Sequence, residues 1–117
     1  MDVLLIVNCV IGLATAAMGV VGLVKPGAFS RSQTVEAGEK LYARMYAARG
    51  IPLGIAAGFV PLIWSSTPTV SLAVLIVAVV AQIGDVIVGA RARSMAMVGG
   101  AAVAAVIHAV AALALVW

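Results

Sequence analysis

The chain has 117 residues, of which 65% are apolar and only 9% charged, with a mean hydropathy of +1.25. Soluble domains run near half apolar and a quarter charged, so an ordinary water-soluble fold is excluded. At ~20 residues per crossing the length holds at most four or five transmembrane helices with short connectors. A single cysteine excludes an internal disulfide and a Cys-based zinc site. The formal charge of +3 falls on connectors and helix ends, so no nucleic-acid partner is expected.

Val3–Val24 carries no charge and reads as the first span. It is too long for a signal-peptide core, Asp2 stands where a cation would precede one, and no small-residue cleavage site follows, so it reads as a retained helix. Lys25-Pro26-Gly27 stops it. Ala28–Lys40, with Phe29 and Val35 among polar residues, reads as an ordered polar connector or, alternatively, a short interfacial helix gating one mouth of the bundle. Leu41–Trp64 is the second span, Ser65–Thr69 a chargeless connector, Val70–Ala90 the third span, Arg91–Ala96 a connector and Met97–Trp117 the fourth span. Lys25, Arg31, Lys40, Arg91 and Arg93 fall on the first and third connectors and no cation on the second. The positive-inside rule then puts the cationic connectors in the cytoplasm and both termini outside, as in an inner-membrane protein of a bacterium.

Ionisable and polar groups at membrane depth need partners or water, at ~2.5–3.5 kcal/mol for a charged side chain. They are Asn8, Thr15, Arg44, Arg49, Gln82, Asp85 and His108. Arg44 lies close enough to the interface to snorkel, whereas Arg49 does not. Counting inward from the cationic connectors at ~1.5 Å per residue, Arg49 and Asp85 reach similar depth on adjacent antiparallel helices. Tyr42, Tyr46 and Arg49 share a helix face by their i, i+4, i+7 spacing, and Gln82 and Asp85 share another. Those five residues are expected to line a polar chamber opening toward the cytoplasm, with Asn8 and His108 extending it to the midplane. Each also has a plainer role. The plainer roles are helix register for the Arg49–Asp85 pair, core hydrogen bonding for His108, an interfacial aromatic belt for Tyr42, and interhelical hydrogen bonds for Asn8 and Gln82. Cys9 reads as a small apolar filler.

Gly50, Gly54 and Gly58 form overlapping GxxxG units, and Gly100, Ala104, His108 and Ala112 repeat every four residues. These faces allow close helix approach and are expected to serve homo-oligomerisation. Pro52 frees a carbonyl near Ala48 and is expected to kink the second helix beside Arg49. There is no phosphate-binding glycine loop, no Cys/His cluster at metal spacing and no nucleophile elbow, so neither a metal nor another cofactor is expected. His108 as a haem ligand has no further support in the sequence. Small multidrug exporters share the length and the crossings but carry a glutamate in helix one, which Val3–Val24 lacks.

The order of features resembles the small four-helix membrane proteins grouped as domain of unknown function 4267, distantly similar to the DoxX-like group. The likeness spans roughly residues 20–115. It rests on the proline after helix one, the aromatic start of helix two, Arg49 and Gly54 in ARGIPLG, Gly84-Asp85 in QIGDVIVG, and His108 in AVIHAVAAL. In that family helix two usually carries Arg-Asp, and here Gly50 stands in place of the Asp. The resemblance therefore leaves Asp85, or no residue, as the acid for Arg49.

The reading is an all-α integral membrane four-helix bundle. Its leading function is a membrane-embedded enzyme of isomerase or cyclase type, acting on a lipophilic small molecule by acid–base chemistry. Asp85 is the expected acid or base and Arg49 its charge partner and oxyanion binder. His108 or Tyr46 is the complementary donor, and Tyr42, Gln82 and Asn8 bind substrate. The alternatives are a proton-coupled transporter titrating at Asp85 and a non-catalytic accessory subunit docking through the glycine faces.

Overall fold

A computed structural model of the chain describes residues 2–29 and 34–117. Four helices follow in order among them: α1 (Asp2–Val24), α2 (Ala37–Ile63), α3 (Pro68–Arg91) and α4 (Met95–Ala114). Each is long and apolar enough to cross a membrane. Even the shortest, at 20 residues, extends about 30 Å, the thickness of a hydrocarbon core. Short connectors force neighbouring helices antiparallel. The contacts are most extensive between α1 and α2 and between α3 and α4, so the bundle is two hairpins set side by side.

Buried positions recur every three or four residues on each helix. They are Asn8, Gly12, Ala16 and Gly19 on α1, for example, and Ser71, Leu75, Ala78, Gln82, Asp85 and Gly89 on α3. That spacing makes one inward stripe per helix. The stripes consist mainly of small residues, while large aliphatics such as Ile6, Met45, Ile76 and Val106 point outward, where lipid is their solvent. Trp64 and Trp117, both exposed, stand at the end opposite the cationic connectors, the position of an interfacial aromatic belt.

Helix ends differ from the hydropathy reading where polar chemistry starts or stops a helix. α2 begins at Ala37, not Leu41, because Glu36 and Glu39 form a capping box. The Glu36 backbone N–H donates to Glu39 Oε2 at 3.0 Å, satisfying a donor that the helix start would leave open. Ala37–Lys40 therefore belongs to α2, and Pro26–Phe29 is a single 3-10 turn. No separate interfacial helix occurs among the described residues of this connector; Arg31 lies outside them. α3 starts with Pro68 at its first position, where a missing N–H is harmless. α4 ends at Ala114, short of Trp117.

α2 continues as helix through Pro52 and Pro61. The α3–α4 turn closes by Ser94 N–H donating to Gly89 O at 2.9 Å and Arg93 N–H to Ala90 O at 3.2 Å. Arg93 sits in the left-handed region there, at φ 56°. Glycine normally fills that place, and an L-residue costs roughly 1–2 kcal/mol.

Candidate functional site

The α1–α2 seam is built from glycine. A β-carbon at Gly12 would lie 2.5 Å from the Gly54 carbonyl oxygen, and one at Gly54 would lie 2.5 Å from the Gly12 oxygen. Gly58 faces Cys9, with its hypothetical β-carbon 3.2 Å from the Cys9 oxygen. The GxxxG face of Gly54 and Gly58 is thus occupied within the chain and is not open to a second copy, and Gly50 is buried beside the Tyr46 ring. Gly100 differs: nothing lies within 4 Å of where its β-carbon would stand. Ala104, one turn on, is buried.

Near the end that carries the termini, α1, α2 and α4 meet in a closed polar knot. Asn8 and His108 are almost completely buried. Asn8 Nδ2 donates to the Ala57 carbonyl at 2.7 Å. Pro61, four residues after Ala57 and also buried, has no N–H to occupy that carbonyl. His108 Nδ1 lies 2.7 Å from Asn8 Oδ1. A carbonyl can only accept, so Nδ2 must face Ala57, which leaves Oδ1 to accept from a protonated Nδ1. The imidazole is fixed in one tautomer by this chain of bonds. The sequence offered Pro52 as the source of a free carbonyl. The proline that matters here is Pro61, and its i−4 spacing from Ala57 is the signal that finds it.

Toward the cationic end the two hairpins part, leaving a cleft of about 1410 Å³. Its walls include Ile11, Met18, Met95 and Val103, and its polar groups include Thr15, Tyr46, Gln82 and Asp85. Arg49 and Asp85 form an ion pair between α2 and α3, as their equal depth suggested. Asp85 has 9% of its side chain exposed and Arg49 has 42%; Asp85 is on the lining of the cleft and Arg49 is not. The Arg49 guanidinium also sits 5.7 Å from the centre of the Tyr46 ring, within cation–π range. One turn from Asp85, Gln82 Nε2 donates to Thr15 Oγ1 at 3.3 Å, and Thr15 bonds back to the Ile11 carbonyl. Tyr42 lies apart at the mouth. It lines a smaller recess of about 320 Å³, and its hydroxyl approaches Met97 Sδ at 3.5 Å.

The expected chamber is therefore divided. Tyr46, Gln82 and Asp85 share the cleft, Arg49 backs it, Tyr42 stands at a neighbouring recess, and Asn8 and His108 do not line it. Asn8 and His108 are removed from the chamber because they satisfy each other and Ala57 inside the bundle. Two residues not singled out from sequence, Glu39 and Arg93, line the cleft at its mouth. No signal marks them: both sit in polar segments where any rotation of the helix end is compatible with the pattern. Among the described residues no group of three or more His, Cys, Asp or Glu is placed to hold a metal ion. Compared with protein-family models, curated proteins and solved structures, the chain finds no match in any of the three.

Proposed function

We propose that the chain is a membrane-embedded enzyme that acts on a lipophilic small molecule by acid–base chemistry of isomerase or cyclase type. The observation that carries this reading is a largely apolar cleft with Asp85 on its lining and Arg49 paired to it from outside the lining. A pocket of that kind, apolar with a few convergent polar groups, is the usual form of a small-molecule site. Asp85, paired with Arg49, is the base that takes a proton from a carbon next to a carbonyl. The Tyr46 hydroxyl then donates to the oxygen on which charge develops, and Asp85 returns the proton to a different carbon. Gln82 orients the substrate. In this reading His108 and Asn8 hold the helices and do not touch substrate.

The cationic ends, with Lys25, Arg91 and Arg93, face the cytoplasm of a bacterial inner membrane, and the termini lie outside. We also assign the chain to the small four-helix family of domain of unknown function 4267. The Arg49–Asp85 pair supports that assignment, since it supplies the acid that Gly50 lacks. The second reading, a non-catalytic accessory subunit or homo-oligomer, draws on the open space in front of Gly99 and Gly100, where another helix backbone can approach.

The test is mass spectrometry of organic extracts from the purified protein, wild type against Asp85→Asn and Tyr46→Phe. A specific non-lipid molecule in the wild type, lost or chemically altered in both variants, is the expected result. Bulk lipid alone in all three extracts sinks the enzyme reading.

A further inference from the structure

We infer that the cytoplasmic mouth of the cleft is an anion site in which Arg93 takes the carboxylate or phosphate head of an amphiphile whose second polar group reaches Asp85, Gln82 and Tyr46. The inference rests on the reading of the cleft as a small-molecule site and adds the class of molecule.

Four observations converge on Arg93. It lines the cleft. It is held at φ 56° in a turn position that glycine fills without strain, so the side chain is kept despite its backbone cost, a pattern that clusters at ligand sites. Its guanidinium makes no hydrogen bond or ion pair among the described residues, whereas Arg49 is paired with Asp85. Glu39, the acid on the same lining, already accepts the Glu36 backbone N–H in the capping box. A planar guanidinium with free donors matches a carboxylate or phosphate in a bidentate fashion.

Geometry then sets the shape of the ligand. Arg93 follows the end of α3 at Arg91, which is six residues and about 9 Å beyond Asp85 at the helical rise. The cleft that both residues line has aliphatic and methionine walls, among them Met18, Val21, Met95 and Met97. An anionic head, an apolar body and a polar group roughly 10 Å further in match these features. Lys25 and Arg91 fall at the same end of the bundle and attract an anion to it.

The test uses the full chain in phosphatidylcholine nanodiscs and compares a radiolabelled long-chain fatty carboxylate bearing a hydroxyl along its chain with the neutral methyl ester of the same acid, corrected for empty discs. Wild type is expected to bind the carboxylate about tenfold more tightly than the ester, one charge-assisted hydrogen bond's worth. Arg93→Gln and Arg93→Gly bring the carboxylate down to the level of the ester, and Arg93→Lys keeps most of the preference. Arg93→Gly melts higher than wild type, which separates lost binding from lost folding. Equal binding of the two probes by wild type, or a preference surviving in Arg93→Gln and Arg93→Gly, overturns the inference and leaves the cleft as a neutral-ligand site. Binding of neither probe overturns both readings. Adding phosphatidylglycerol to the discs assigns the source of the anion: competition with the carboxylate identifies a bilayer lipid, and its absence identifies a free amphiphile.

Discussion

Asn8 donates to the Ala57 carbonyl at 2.7 Å, at the one turn of α2 where Pro61 withholds the usual N–H. Two features that look unfavourable alone, an amide deep in an apolar helix and a proline inside a span, complete each other. His108 closes the set through Asn8 Oδ1, so three helices are tied by two bonds in a region from which water is excluded.

Asn8→Ala strands the His108 Nδ1–H and the Ala57 carbonyl together. The expected loss is about 2 kcal/mol, the cost of unsatisfied buried groups. Pro61→Ala returns an N–H to the Ala57 carbonyl, so Asn8→Ala should cost about 1 kcal/mol less in that background. Unfolding of the four members of this cycle by denaturing detergent measures the coupling. Strictly additive effects would mean that the proline and the amide act separately.

The glycine seam makes a graded prediction. Gly12→Ala and Gly54→Ala each drive a methyl into backbone at 2.5 Å, which nothing flexible can relieve. Each should cost more than about 3 kcal/mol or abolish folding. Gly58→Ala, at 3.2 Å from Cys9 O, should be milder. Gly100→Ala meets open space and should gain roughly 0.5–1 kcal/mol from helix propensity. Thermal melts in one detergent suffice, and a Gly100→Ala loss as large as that of Gly54→Ala would remove the seam as the cause.

The capping box of α2 is testable in the same way. Glu39→Ala removes the carboxylate that accepts the Glu36 N–H and should cost about 1 kcal/mol. Hydrogen exchange read residue by residue should report the loss as faster exchange confined to the first turn of α2. Slowed exchange there, or a change spread evenly along the helix, contradicts the capping role.

How much of this was legible in the sequence depends on which coordinate a pattern fixes. Depth is fixed by counting residues inward from a charged connector, so the pairing of Arg49 with Asp85 could be anticipated. Rotation of a helix about its axis relative to more than one neighbour is not. Asn8 and His108 have the right depth for a chamber, yet they turn toward Ala57 and each other. The glycines of α2 announce a close partner without naming it, and the partner is α1 of the same chain because Gly12 and Ala16 oppose them. Hydropathy missed the start of α2 because Gly38, Glu39 and Lys40 are polar, while the capping box extends a helix regardless of polarity. The left-handed backbone at Arg93 has no sequence signature, since the residue expected there is glycine.

The ion pair should be sensitive to the removal of one partner and tolerant of the removal of both. Asp85→Leu leaves Arg49 charged and unpaired at membrane depth and should cost about 3 kcal/mol. Arg49→Leu leaves Asp85, whose side chain is 9% exposed, without its partner and should cost a similar amount. Replacing both residues by leucine removes both charges and should recover most of the stability, because a membrane-buried pair is worth little against a well-packed apolar pair. Unfolding midpoints of the three variants decide the matter. A double variant weaker than either single one would show that the pair does more than cancel its own charges.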